Sequence, residues 1–164
     1  MIQAVVDDLA FLEAEAVLRP ADASLEPVTA SAVRLDRQAG AAFAAQRRVS
    51  MPLEAGAAVI TGAGDLAADY VLHVIIQDPE TLTTRETVRR ALVSAWERCA
   101  EWGIRSVAST PLGAGAGLLD LEEATELMVA TFPTGAACPA SLTIVLERDE
   151  DRHLVDAVLR RRAG

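Results

Sequence analysis

The chain has 164 residues, a formal net charge of −9 at pH 7, and a hydrophobic content of 51% with only 4% aromatic residues. The negative charge argues against general nucleic-acid binding, which needs a basic face that displaces counterions from the phosphates. No apolar run approaches the roughly 18 residues that cross a bilayer, and no basic segment precedes an apolar one at the start, so we expect a cytoplasmic protein without membrane contacts.

The first part of the chain predicts two strands and a loop. Ile2–Val6 is a short apolar run with β-branched residues, which is typical of a strand. Residues 16–18 predict a second, buried strand, and we expect Pro20 to end it because proline has no N–H to donate to a sheet. Residues 19–23 are therefore predicted to form a loop at a carboxyl strand end, where ligands bind in open α/β sheets.

A helix is predicted over residues 27–38, with a proline in its first turn and Gly40 at its end. Residues 41–46 predict a short second helix. Arg47 and Arg48 follow it, and the favourable interaction of a positive charge with the carboxyl end of a helix is sufficient reason for both.

Two strands and a long helix come next. Residues 57–61 and 70–76 are apolar runs that predict strands. Thr83 or Thr84 caps a helix that runs to about Trp102. Its apolar residues are spaced three and four apart, which indicates one buried face.

The last part of the chain predicts a short buried strand before the glycine-rich residues 113–117, a helix that begins near Asp120, a strand over Ser141–Leu146 and a helix over residues 149–162. This alternation of strands and helices predicts an α/β fold, a three-layer α/β/α sandwich with a central mixed, mostly parallel sheet. We expect a single domain over residues 1–164.

The glycines between the predicted strand and helix have a chemical meaning of their own. Backbone without side chains can turn several N–H donors toward one point, and the positive end of the following helix adds to their field. Such a loop favours a phosphate or a carboxylate. The spacing fits neither of the two common nucleotide-binding glycine motifs, and a plain connection that binds nothing also fits it.

The other reactive side chains form no catalytic pattern. Cys99 and Cys138 are too few and too far apart in sequence for a disulfide framework or a zinc site, so we expect both to be reduced, with no metal and no cofactor. His73 lies in the middle of a predicted strand and is expected to be a hydrogen-bonded core residue rather than a general base. His153 lies on the final helix and is expected to be exposed.

Three blocks of the sequence stand out by their order and separation. Residues 15–40 begin Glu-Ala-Val-Leu-Arg-Pro-Ala-Asp and end Leu-Asp-Arg-Gln-Ala-Gly, residues 56–73 end Tyr-Val-Leu-His, and residues 106–124 contain the glycine loop. Together they make nearly the whole chain resemble the macro domain family, of the type that binds ADP-ribose or processes Appr-1-p.

The resemblance implies a pocket for ADP-ribose at the carboxyl edge of the sheet, so the expected partner is an ADP-ribose-type small molecule or an ADP-ribosylated protein. Asp8 matches the family's aspartate that hydrogen-bonds the adenine amino group, and Leu9 would add a backbone contact. Ala21 and Asp22 match the first ligand loop. The second ligand loop, which would wrap the diphosphate, matches Gly113, Ala114, Gly115, Ala116 and Gly117.

The first ligand loop departs from the family pattern. Where the family has Asn-Ala-Ala-Asn, this sequence has Arg19, Pro20, Ala21 and Asp22, and residues 27–31 replace the glycine run that follows. Asp22 is the only candidate general base in this loop. Its carboxylate would be repelled by a diphosphate unless it is paired or accepts ribose hydroxyls. Arg19 is a candidate partner for it, a candidate phosphate ligand, or a solvated charge at a strand end.

Three hypotheses follow from the resemblance and its departures. The first is a divergent macro domain that binds ADP-ribose or a related ADP-ribose-containing metabolite. The second is a hydrolase of ADP-ribosyl or O-acetyl-ADP-ribose esters that uses Asp22. The third is a scaffold whose pocket is filled by Val28, Thr29 and Ser31. Loss of the asparagine and of the glycine run favours binding over turnover.

Overall fold

Six strands form one sheet with four helices packed on it in residues 1–80, 82–115, 119–135 and 137–164, which the computed structural model describes. The strands are β1 (Ile2–Val6), β2 (Ala16–Asp22), β3 (Ala58–Gly62), β4 (Tyr70–Gln77), β5 (Ser106–Ser109) and β6 (Ser141–Leu146). The helices are α1 (Ala30–Gln46), α2 (Arg85–Trp102), α3 (Leu121–Thr131) and α4 (Asp149–Ala163), and a 3-10 helix, Leu9–Phe11, follows β1. None of the helices in these ranges is both long and apolar enough to cross a membrane.

The strand order across the sheet is β1-β6-β5-β2-β4-β3. Neighbouring strands are parallel except β3, which is antiparallel to β4. Side chains alternate between the two faces of the sheet. Leu18 and Leu72 belong to the core under α2 and α3, while Val17 and Val71 belong to the core under α1. The predicted three-layer α/β/α sandwich around a mostly parallel sheet is therefore confirmed.

Strand β2 is longer than predicted, and Pro20 lies inside it. Pro20 continues the pairing with β4, opposite Val74. Its carbonyl accepts a hydrogen bond from the Val28 N–H at 3.4 Å, so the proline nitrogen faces the same edge, away from β4. On that edge β5 pairs only with residues 16–17. The prediction was wrong because a missing N–H breaks no ladder where no neighbouring strand would accept it.

Helix α1 begins at Ala30 rather than at residue 27. Thr29 is its N-cap, and the Thr29 hydroxyl accepts an N–H of the first turn at 3.1 Å. Pro27 instead forms an isolated antiparallel bridge with Ala21. Gly40 interrupts the helix where the sequence predicted an end, with φ of 86° and ψ of −174°.

The positive charge of Arg19 is buried between the sheet and α1. The side chain has no exposed surface, and its Nε and Nη2 donate to the two carboxylate oxygens of Asp36 on α1 at 2.7 and 2.8 Å. Its Nη1 also lies 3.2 Å from Nδ1 of His73 on β4. Arg19 is therefore neither a solvated charge, nor a phosphate ligand, nor a partner of Asp22. Those expectations were wrong because β2 continues past Arg19 and turns its side chain into the core.

His73 is a hydrogen-bonded core residue, as predicted. Because Arg19 can only donate to Nδ1, that nitrogen carries no proton and Nε2–H donates to the Thr61 hydroxyl at 2.8 Å. Thr61 donates in turn to the carbonyl of Gly62 at 2.9 Å. Burial, and then the charges of Arg19 and Arg47, lower the pKa of His73 from 6.5 to about 3. The imidazole is therefore neutral at physiological pH.

Asp36→Ala should lower the free energy of unfolding by about 3–5 kcal/mol, because it leaves the buried Arg19 charge unpaired. Urea unfolding measures the change. Glu86→Ala is the control, since Glu86 pairs with Arg89 at the surface, and its effect should be close to zero. Equal effects of the two substitutions would contradict the importance of the buried pair.

His73 should make the protein less stable as the pH falls from 6.5 toward about 3. In this window the unfolded chain binds a proton that the folded chain excludes, so the free energy of unfolding falls by up to about 1.4 kcal/mol per pH unit. His73→Gln, whose amide keeps one acceptor and one donor, should lose this contribution. Identical pH slopes for the two proteins in urea unfolding below neutral pH would show that the imidazole is not held neutral.

Candidate functional site

A cleft of about 460 Å³ opens at the carboxyl edge of the sheet, at the ends of β5 and β6. This volume lies within the roughly 300–1,000 Å³ of small-molecule sites. One wall is the start of α1, another is the segment from the end of β6 into α4, and the glycine loop after β5 completes the lining. The described lining residues are Thr29, Ala30, Ser31, Thr110, Pro111, Ala114, Gly115, Leu121, Val145, Leu146, Glu147, Arg148 and Asp151.

Two helix N-termini supply backbone N–H groups at this cleft. The first two amides of α1, at Ala30 and Ser31, have no acceptor within the helix. Helix α4 begins after Arg148, whose side chain makes no capping hydrogen bond to the first turn. The partial positive charge at the start of α1, which has no acidic residue in its first turn, favours an anion in the cleft, whereas Asp149, Glu150 and Asp151 in the first turn of α4 offset the positive end of that helix.

The glycine loop contributes backbone without a side chain. Gly115 is exposed and has φ of 82°, and among the described residues a Cβ at this position would meet only Thr29 Cγ2, at 3.9 Å. Gly113 is buried and has a different role, because a Cβ there would lie 2.7 Å from Leu119 and 3.1 Å from Val88. Gly113 is therefore required for packing, whereas Gly115 leaves the backbone accessible from the cleft.

The charged side chains of the cleft are already paired. Glu147 forms an ion pair with Arg34, which connects the segment after β6 to α1. Arg148 contacts Glu150 at 2.7 Å and Asp151 at 3.2 Å. These pairs are largely exposed, and such pairs contribute only about 0–1 kcal/mol each. Arg148 is therefore free to exchange a carboxylate for a phosphate at little cost.

Asp8 and Leu9 lie next to the end of β6. Asp8 is exposed, and its carboxylate accepts an N–H of the 3-10 helix at 3.0 Å. Leu9 is buried in the same cluster as Val145, which lines the cleft. The Asp7 N–H donates to the carbonyl of Leu146 at 3.1 Å. The turn that carries Asp8 is thereby fixed against the strand that lines the cleft.

The other predicted ligand residues lie in different parts of the structure, and only some of them line the cleft. Ala114 and Gly115 line the cleft. Ala21 is fully buried, and Asp22 lines a different cavity of about 220 Å³ that shares no lining residue with the cleft. Residues 116–117 lie outside the described part of the chain.

Several lining residues had no local signal in the sequence. They lie at the end of β6, directly after it, or in the first turn of α4: Val145, Leu146, Glu147, Arg148 and Asp151. The signal that could have found them is topological, because the carboxyl ends of parallel strands meet at one edge of a sheet and ligands bind there.

The cleft is open although the glycine run of the first loop is absent. Thr29 and Ser31 line the cleft, and Val28 packs against the core under α2 and α3. These three side chains therefore do not fill the cleft, contrary to what the scaffold hypothesis expected of them.

Comparison with known proteins identifies the family. The model of the Macro domain family matches residues 19–128, and the chain belongs to this family. An uncharacterized protein of Mycobacterium bovis is 30% identical over 122 residues, which are 74% of this chain and 34% of that protein. The chain thus spans about one third of the length of the mycobacterial relatives that it matches.

Solved macrodomain structures have the same fold. A mutant of the Oceanobacillus iheyensis macrodomain with ADPR has a TM-score of 0.84 and 17% identity, over 98% of this chain and 92% of that chain. The Trypanosoma brucei macrodomain in complex with ADP has a TM-score of 0.82 and 16% identity, over 96% of this chain and 68% of that chain.

Proposed function

We propose that this chain binds ADP-ribose, or a related ADP-ribose-containing metabolite, through its ADP part in the cleft at the carboxyl edge of the sheet. The observation that carries the proposal is that the N-terminus of α1, which has no acidic residue in its first turn, and the Gly115 backbone line one open cleft. These groups offer the N–H donors and the positive field that suit a diphosphate. The ligands in the two neighbouring structures, ADPR and ADP, support the choice.

The adenine is proposed to lie at the β6 end of the cleft and the diphosphate at the glycine loop. The exposed Asp8 carboxylate beside β6 would accept the adenine amino group, and the Leu9 backbone would add a contact. The diphosphate would then lie between the Ala30 and Ser31 amides and the backbone of Gly115. An ADP-ribosylated protein presents the same end group as the free metabolite.

The proposed activity is binding without turnover. Removal of an ADP-ribosyl group needs a base or a positioned water at the reacting ribose. The carboxylates among the described lining residues, Glu147 and Asp151, lie at the β6 end of the cleft, where the adenine rather than a reacting ribose is proposed to lie. Asp22, the hydrolase candidate, lines another cavity, and its Oδ1 accepts two backbone N–H groups at 2.9 and 3.0 Å. Among the described residues of the cleft, no contact favours hydrolysis.

Isothermal titration calorimetry with ADP-ribose should give micromolar binding to the native chain, and Gly115→Val should abolish it by keeping the diphosphate from the backbone. Gly135→Val is the matched control. Gly135 has φ of 79° against 82° for Gly115, and a Cβ there meets no atom of the described residues within 4 Å, so both variants carry similar backbone strain. Loss of binding in both variants, or in neither, would contradict a diphosphate at Gly115. Failure of the native chain to bind ADP-ribose or ADP would overturn the proposed function.

Asp8→Ala should weaken the binding of ADP by about 1–3 kcal/mol, the scale of a lost hydrogen bond to a charged group. Inosine diphosphate has a carbonyl oxygen in place of the adenine amino group. Comparing its binding with that of ADP distinguishes a loss of base recognition from a loss of protein stability. The native chain should prefer ADP over inosine diphosphate, and Asp8→Ala should lose that preference even if it unfolds more easily. An unchanged preference would remove Asp8 from the adenine site.

A further inference from the structure

Residues 22–28 form a tight turn at the end of β2, which we call the β2 hairpin. The Asp22 N–H donates to the carbonyl of Glu26 at 3.0 Å, and the Leu25 N–H donates to the carbonyl of Asp22 at 2.9 Å. The Asp22 carboxylate accepts two further N–H groups of the turn. Pro27 then forms its bridge back to β2. The hydrogen-bonding groups of this turn are thus satisfied largely within the turn itself.

The β2 hairpin occupies the edge of β2 that β5 leaves free. The other edge of β2 pairs with β4 to the end of the strand. The bridge from Pro27 and the hydrogen bond from Val28 to Pro20 therefore lie on the β5 side. There β5 pairs only with residues 16–17 and then ends. The polar groups at the carboxyl end of β2 are satisfied by the chain itself, and the hairpin takes the space that a ligand would need to reach them.

Buried side chains and hydrogen bonds from other segments also hold the β2 hairpin in place. Ala21, Ala23 and Leu25 are at most 3% exposed. The Leu53 N–H donates to the carbonyl of Ala23 at 2.8 Å, and the Arg47 guanidinium donates to the carbonyl of Leu25 at 3.3 Å. Arg47 therefore holds the hairpin through a specific hydrogen bond, whereas the sequence analysis had explained this residue only by its interaction with the helix dipole. The β2 hairpin, which covers the end of β2, is therefore packed against the rest of the fold.

The cleft ends where the β2 hairpin joins α1. Thr29, which follows the hairpin, stands opposite Gly115, with its Cγ2 3.9 Å from the place of a Cβ on Gly115. The described lining of the cleft comes from the starts of α1, α3 and α4, the glycine loop and the ends of β5 and β6, and includes nothing from the end of β2. Asp22 lies in its separate cavity with Gln77 and Asp78.

We infer that the described residues of this cleft recognise only the adenosine diphosphate end of the ligand and make no specific contact with the group beyond the second phosphate. The inference rests on the proposed function, because it takes the diphosphate to lie at Gly115. The distal ribose of ADP-ribose, or any other substituent there, then faces solvent. The ligand class is therefore adenosine diphosphate esters, with ADP-ribose as one member.

Calorimetric titration of the native chain with ADP-ribose and ADP-glucose tests the inference directly. The two compounds carry the same diphosphate charge and differ only beyond the second phosphate. Their dissociation constants should agree within fivefold. A preference of more than fivefold for ADP-ribose would overturn the inference and leave the proposed function intact. Failure of both compounds and of ADP to bind would overturn the proposed function and the inference together.

Asp22→Asn supplies a second measurement, because the asparagine oxygen still accepts the two N–H groups of the turn. A distal ribose at the end of β2 would lie near this side chain, whereas a ribose in solvent would not. The affinity for ADP-ribose should stay within fivefold of the native value. A larger loss, in a variant whose affinity for ADP is unchanged, would place the distal ribose at Asp22 and overturn the inference.

Saturation-transfer NMR on bound ADP-ribose locates the solvent-facing end of the ligand without any substitution. The adenine protons should receive more saturation from the protein than the anomeric proton of the distal ribose. Equal or stronger saturation of the anomeric proton would show that the protein encloses the distal ribose, contrary to the inference.

Discussion

A buried positive charge determines how the first helix and the sheet of this protein fit together. Arg19 on β2 has no exposed surface, and an unpaired charge in such a place costs several kcal/mol. Asp36 lies about two turns from the start of α1, so its pairing with Arg19 positions the helix over β2 and β4. The same placement brings the free amides of Ala30 and Ser31 to the carboxyl edge of the sheet. The cleft therefore depends on an ion pair outside its own lining.

The strands, the helices and the glycine loop could be predicted because neighbouring residues encode them. Apolar runs, capping hydroxyls and glycines act over a few positions, and the order of elements follows from reading them in turn. Pairings between distant residues could not be found this way. Nothing near Arg19 shows that it meets Asp36, and nothing near Pro20 shows that its nitrogen faces an unpaired edge. Both outcomes depend on which strand lies beside β2.

The candidate site was predictable to the extent that its parts have local signatures. The Asp8 turn and the glycine loop were found from the residues and the family resemblance, and the structure places both at or beside the cleft. The segment from Val145 to Asp151 lines the cleft because β6 lies between β1 and β5. No residue within that segment predicts this position of β6 in the sheet. Residues 27–31 replace the family's glycine run, and on the scaffold hypothesis Val28, Thr29 and Ser31 were expected to fill the pocket. In the structure, the β2 hairpin occupies the space at the end of β2, and the cleft stays open.

The place of β6 in the sheet also sets the order in which the molecule is completed as the chain is made. Strands β2 to β5 are adjacent in the sheet and lie within residues 16–109, so they can pair before the rest of the chain exists. Strand β1 must wait, because its described partner is β6, with Ile2 opposite Leu142. Contacts between such distant residues form late. A nascent chain thus carries the glycine loop and α1 for some time before β6 supplies the remaining wall, and the cleft is completed only after residues 141–146 have been made.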